Sequence, residues 1–128
     1  MRLLLDTHAF LWWVGDDPRL SDIAGDAIAN GANQIFVSVA SAWEIAIKAG
    51  LGREEVPEPL HEFLGEQLRA NAFELLPIHL RHAAAVSSLP HLHRDPFDRM
   101  LVAQAVQEHL AIVSRDEQVH AYGVEVIW

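Results

Sequence analysis

Cysteine is absent from the 128 residues, so neither a disulfide framework nor a thiolate zinc site can form, and nothing points to an oxidising compartment. The cytoplasm is the expected location. Basic residues are scarce: 9 Lys and Arg face 18 Asp and Glu, for a formal net charge of -9. The average surface therefore repels phosphate, and any contact with nucleic acid needs a local basic patch. Long apolar runs are also missing. The longest uncharged segment, Ala27 to Trp43, carries Asn30, Asn33 and Gln34, whereas a membrane helix needs about 20 predominantly apolar residues. The apolar start, Met1 to Gly15, is interrupted by Asp6 and His8 and lacks a small-residue cleavage site, so neither membrane insertion nor export is expected. No GxSxG elbow, GxxxxGK[ST] loop or GxGxxG turn occurs, which disfavours serine hydrolase, nucleotide kinase and dinucleotide enzyme. The pairs His79 with His82 and His91 with His93 lack the HExxH context of a zinc hydrolase.

What is present suits one folded unit. The chain is 51% hydrophobic and 21% charged, without repeats or low-complexity tracts, and its length matches a single domain over residues 1–128. Charge is unevenly spread. Arg53 to Glu74 holds six Glu against two Arg, while Arg81 to Arg115 holds four Arg and four His against three acids. The second stretch is the better candidate for meeting an anion.

Short apolar runs alternate with helical patterns. Arg2 to Leu5 reads as a first buried strand, followed without a gap by a helix over Ala9 to Val14. Ser21 caps a helix over Asp22 to Ala29, and Ile35 to Val39 is a second strand. Ala40 to Ala49 is helical and is closed by Gly50 and Gly52. An amphipathic helix, Leu60 to Ala72, precedes a strand over Phe73 to Leu76. Its Leu60, Phe63, Leu64 and Leu68 offer either a docking face or packing on the chain's own sheet. A helix over Ile78 to Ser88 is stopped by Pro90. Asp95 and Pro96 then start a helix ending near His109. Ala111 to Ser114 is another buried strand, and Val124 to Ile127 adds an edge strand. This rhythm predicts an α/β three-layer sandwich with a central, mainly parallel sheet of four or five strands.

Ligands of such sheets bind outside the carboxyl ends of the strands. Asp6 ends the first strand, Asp116 follows the fourth by two residues, and Asp98 lies in the first turn of the helix leading to it. Glu44 shares a narrow polar stripe with Ser41 and Lys48 on an otherwise apolar helix. Three of the acids have a plainer assignment as well. Asp98 suits a capping arrangement with Asp95, Glu44 an i,i+4 pair with Lys48, and Asp116 the start of a short helix. Asp6 has none, since an acid between Leu5 and the Ala9 to Trp13 segment is buried without a local cation. Four carboxylates ~6 Å apart repel by about 3 kcal/mol per pair at an effective dielectric of 20. All-oxygen ligation of such charge suits Mg²⁺ or Mn²⁺ rather than zinc. Trp12, Trp13 and Phe97 are candidates for base stacking, with core packing the competing assignment.

The segments LLLDTHAFLWW, SVASAWEIAIKAG, HRDPFDRMLVAQA and IVSRD, in this order and spacing, make the chain resemble PIN-domain ribonucleases, most closely the VapC-like toxins of bacterial toxin-antitoxin pairs. The resemblance spans nearly the whole chain. It implies metal-dependent cleavage of RNA, a homodimer, and inhibition by an antitoxin protein that reaches into the acidic cleft. It assigns metal-binding and catalytic roles to Asp6, Glu44, Asp98 and Asp116, with Ser114 in support. Lys48, Arg99 and Arg115 adjoin these acids and are candidates for meeting substrate phosphate or for ion pairing within the fold. Two other functions compete: a Mg²⁺-dependent phosphatase of small phosphoesters, which would usually carry a second acid close behind Asp6, and a non-catalytic acidic module that binds an arginine-rich partner.

Overall fold

A computed structural model describes residues 1–92 and 94–128, so His93 of the second histidine pair lies outside the described residues. Five strands form one parallel sheet: β1 (Arg2–Leu5), β2 (Gln34–Ser38), β3 (Glu74–Leu76), β4 (Ala111–Val113) and β5 (Val126–Ile127), in the order β3-β2-β1-β4-β5. The helices are α1 (Thr7–Val14), α2 (Asp22–Ala29), α3 (Val39–Gly50), α4 (Leu60–Ala70), α5 (Leu80–Ala85), α6 (Pro96–Glu108) and α7 (Glu117–His120). The expected three-layer α/β sandwich is the observed one.

The period of two along a strand divides the core. Leu3 and Leu5 point to one face with Ile35, Val37 and Val113, where Phe10 of α1, Ile28 of α2 and Ile45 of α3 cover them. Leu4 points to the other face with Phe36 and Ile112, under Leu101, Val102 and Ala105 of α6 and Val119 of α7. Leu3, Leu4 and Leu5 are all fully buried, as a central parallel strand requires. Leu60, Leu64 and Leu68 of α4 pack against the first of these clusters, so that apolar face is spent on the chain's own core.

Most differences from the sequence reading are local. Helix α1 begins at Thr7 rather than Ala9, because the Asp6 side chain caps it. Strand β2 stops at Ser38, whose hydroxyl accepts from the Ala40 N–H and starts α3 at Val39. The helix expected over Ile78 to Ser88 is shorter. Ile78 packs into the second cluster, α5 begins after His79, and the chain tightens into a 3₁₀ turn over Val86–Ser88. Leu89, preceding Pro90, is extended, as sterics before proline favour.

Candidate active site

Strand β1 leads rightward in the order to β4 and leftward to β2, so the connection from β3 to β4 reverses the direction of winding. Such a switch point leaves a crevice at the carboxyl ends of the two strands it separates. Asp6 follows β1 there, and Ser114 and Asp116 follow β4.

Each acid is positioned by its own stretch of chain. Asp6 is the single residue between β1 and α1, and its carboxylate accepts the Ala9 N–H at 2.8 Å. Burial pushes that carboxyl above its ordinary value; the Ser114 hydroxyl, the Ala9 N–H and nearby His8 pull it down, and Glu44 adds to the rise. Ser114 is fully buried and also accepts the Asp116 N–H at 3.0 Å, so one hydroxyl joins the residues after β1 and β4. Asp116 caps α7 through the Gln118 N–H at 2.9 Å. Asp95 caps α6 by accepting from the Phe97 and Asp98 N–H groups at 2.9 and 3.2 Å. Asp98, one turn into α6, has its carboxyl pushed up to about 7, first by burial and then by Asp95, Asp6, Glu44 and Asp116. Asp6, Glu44 and Asp116 thus each act on the Asp98 carboxyl.

Glu44 is buried, and both of its oxygens are occupied. Oε2 pairs with Lys48 Nζ at 2.7 Å, and Oε1 lies 2.6 Å from Thr7 Oγ1. Thr7 Oγ1 is also 3.0 Å from Ser41 Oγ. Having one proton to give, Thr7 donates to the carboxylate, and Ser41 is free to donate to Thr7. Thr7 is therefore a site residue that the sequence reading missed. Its only signal was a small polar residue directly after Asp6 that the fold must bury.

The basic residues separate. Lys48 stays with Glu44. Arg115 is exposed, with its guanidinium 4.8 Å from the centre of the Trp12 ring. Arg99 corrects an expectation: it is buried, and it donates to the Pro90 and Val86 carbonyls at 2.7 and 3.2 Å and to the Tyr122 hydroxyl at 3.3 Å. One helical step beyond Asp98 turns the side chain by ~100°, away from the acids and onto the 86–90 segment. It ties that segment to α6 and is not available to substrate phosphate. Phe97 meets Trp43 edge to face at 5.3 Å, and Trp13 bonds Asn71 through its indole N–H at 2.9 Å, so both are engaged in packing.

Among the described residues, no three His, Asp or Glu side chains are posed as ligands of a single ion. Asp6, Glu44 and Asp116 are instead turned to the local donors just named. The donor set is nonetheless all-oxygen and mutually repelling, which is the chemistry that a hard divalent cation relieves.

The PIN domain family profile matches residues 3–125. The chain belongs to the PIN-domain family. Over 121 residues it is 30% identical to Ribonuclease VapC22 of Mycobacterium tuberculosis, covering 94% of this chain and 91% of that protein. Among solved structures, this PIN domain is similar to VapBC2 from Rickettsia felis bound to a DNA fragment from their promoter, with TM-score 0.71, 14% identity and coverage of 98% of this chain and 97% of that one. It is similar also to FitAcB from Neisseria gonorrhoeae, with TM-score 0.64, 18% identity and coverage of 97% and 95%. At these identities the structures establish the PIN fold alone.

Proposed function

We propose that this chain is a single-domain, metal-dependent ribonuclease over residues 1–128, hydrolysing phosphodiester bonds of single-stranded or structured RNA as the cytoplasmic toxin of a toxin-antitoxin pair. The observation that carries this reading is Asp98, whose carboxyl rises to about 7 in the company of Asp6, Glu44 and Asp116. Acids held in mutual repulsion at a crevice suit the binding of a cation. Similarity to a protein named as a ribonuclease supplies the substrate class.

Asp6 and Asp98 would hold Mg²⁺ or Mn²⁺, with Glu44 and Asp116 as further ligands or water-positioning groups. A bound ion supplies Lewis-acid stabilisation of charge on the phosphate and a more acidic water. The remaining work belongs to the chain. Thr7 and Lys48 fix Glu44 from both sides, and Ser114 fixes Asp6. Lys48 also carries positive charge towards the phosphate. In the reaction, a water oxygen bonds to phosphorus, the bond to the leaving nucleoside oxygen breaks, and that oxygen takes a proton; no covalent enzyme intermediate is needed.

The surface supports protein partners. Trp43, Ile47 and Leu51 of α3 and its C-cap are exposed one turn apart. Beside them an apolar cleft of about 420 Å³ is lined by Trp43, Ile78, Val86, Phe97 and Met100. This supports a homodimer and an antitoxin that combines an apolar anchor with a basic side chain directed at the acids.

The test incubates purified protein with single-stranded RNA and with a chromogenic phosphomonoester, each with Mg²⁺, Mn²⁺ or chelator. We expect RNA to be cut with either ion and not with chelator, the monoester to be untouched, and light scattering to give twice the chain mass. Cleavage of RNA that ignores chelator overturns the metal role. Preferential turnover of the monoester overturns the ribonuclease reading.

A further inference from the structure

A cleft of about 540 Å³, lined by His8 and Arg115 from the two stretches of chain that carry Asp6 and Asp116, is left unused by the reaction as described. Its inner wall is a tier of flat groups. The His8 ring lies parallel to the Trp12 indole, with centroids 5.3 Å apart and planes at 11°, and the Arg115 guanidinium is 4.8 Å from the same indole. Trp12 is itself buried and braced by Trp128 at 5.9 Å, with the Arg19 guanidinium also 5.0 Å from its ring, so it acts as a fixed backing for His8, Arg115 and Arg19. His8 and Arg115 are exposed. They are tied to the acids by sequence and by field: His8 acts on the Asp6 carboxyl, and Arg115 lies between Ser114 and Asp116.

The charges on the remaining walls decide what could enter. Arg19 is committed to Asp17, through a bidentate contact at 3.0 and 2.7 Å. Glu54 and Glu55 also line the cleft. A phosphate would meet two carboxylates there and be repelled. A nucleobase would not, because its face can stack on a guanidinium or an imidazole, and an exocyclic amine at its edge can donate to a carboxylate. The volume suits a ligand of that size.

We propose that this cleft is a nucleobase subsite flanking the scissile phosphate, in which Arg115 and His8 stack on the base and Glu54 and Glu55 favour bases that carry an exocyclic amine. The inference rests on the ribonuclease reading for its substrate. Trp12 is a positioning residue within it. The subsite gives the enzyme a preference for adenine, cytosine or guanine over uracil at one place beside the cut.

Binding can be measured apart from cleavage, using the Asp98→Asn protein, Mg²⁺ and fluorescently labelled heptamers of A, C and U. We expect the A and C heptamers to bind about tenfold tighter than the U heptamer, a ratio within the range of a single stacked base. Arg115→Ala should remove most of that advantage, and Arg115→Lys should not restore it, because lysine keeps the charge but has no flat face. Glu54→Gln with Glu55→Gln should narrow the difference between A or C and U. Equal binding of all heptamers, no binding by any, or full rescue by Arg115→Lys overturns the subsite. In the cleavage-competent protein, Arg115→Ala should raise KM more than it lowers kcat and should shift the cleavage positions. If RNA is cut and Arg115→Ala keeps both KM and positions, the subsite fails while the nuclease stands. If the heptamers bind as expected but RNA is never cut, the nuclease reading fails instead.

Discussion

Helix α6 carries an acid at each end, and the two behave in opposite ways. The helix dipole alone would stabilise a carboxylate in the first turn and destabilise one in the last. Asp98, in the first turn, is pushed up to about 7 by burial and four neighbouring acids. Glu108, in the last turn, is held below its ordinary value by hydrogen bonds from His82 and Arg81. At both ends, side-chain neighbours outweigh the helix. The Glu108 end is a finished network. The His79 N–H donates to His82 Nδ1 at 3.0 Å, which leaves the ring proton on Nε2 to donate to Glu108 Oε1 at 2.8 Å. Deeper in, Ser38 donates to Gln104 Oε1 at 2.6 Å, and Gln104 donates to the Pro77 carbonyl at 3.2 Å. Glu108 is set among cationic and imidazole donors and ties α6 to α5, whereas Asp98 is set among other acids.

The sharpest break of this contrast is a pair of substitutions. Asp98→Asn should lower RNA cleavage by about a hundredfold or more, while its thermal unfolding stays level or rises as repulsion is relieved. Glu108→Ala should do the reverse. It leaves the buried His82 Nε2–H without its acceptor, at a cost of about 1–3 kcal/mol in urea unfolding, with cleavage retained. If the Glu108 variant stays folded but loses cleavage, the two ends are not distinct.

A smaller effect lies in pH. Between the ordinary aspartate value of 3.8 and about 7, folded Asp98 binds more protons than unfolded Asp98. Stability of the ion-free protein should therefore fall as pH rises through that window and then level off. Glu108 has the opposite sign: its contribution is complete above 4.5 and is lost only as pH falls through its lowered folded value. Millimolar Mg²⁺ should raise the melting temperature more at pH 8 than at pH 5, and Asp98→Asn should flatten the decline. Equal Mg²⁺ shifts at both pH values would remove the acid cluster as the binding site. The smallest effect belongs to Lys48→Met. Its pairing with Glu44 is an i,i+4 contact on a partly exposed chain, so urea unfolding should change by about 0.5 kcal/mol.

Much of this arrangement is legible in the sequence, for reasons that differ by residue. Leu3, Leu4 and Leu5 are an apolar run that only a strand buried on both faces can use, and Asp6 breaks that run too abruptly to be ordinary surface. Ser21 and Asp95 announce helix starts and act as caps. Thr7 was not legible, because its partner Glu44 lies 37 residues away and no local spacing records the contact. Arg99 misled for the opposite reason. Adjacency in sequence to Asp98 suggests a shared site, but consecutive helical residues point in different directions, and Arg99 is turned to backbone carbonyls.

The junctions that bear Asp6 and lead into the Glu44 helix are almost free of loop. One residue separates β1 from α1, and none separates β2 from α3, whereas nine residues, 51–59, connect α3 to α4. Insertions at the first two places would rotate or displace Asp6, Thr7, Ser41 or Glu44 directly. The 51–59 connection, whose Glu54 and Glu55 line the cleft, holds none of the four acids and is anchored to the core through Val56. For protein engineering this separates two tasks: segments grafted into 51–59 would test the proposed choice of base, while Asp6 and Glu44 stay where the strands leave them.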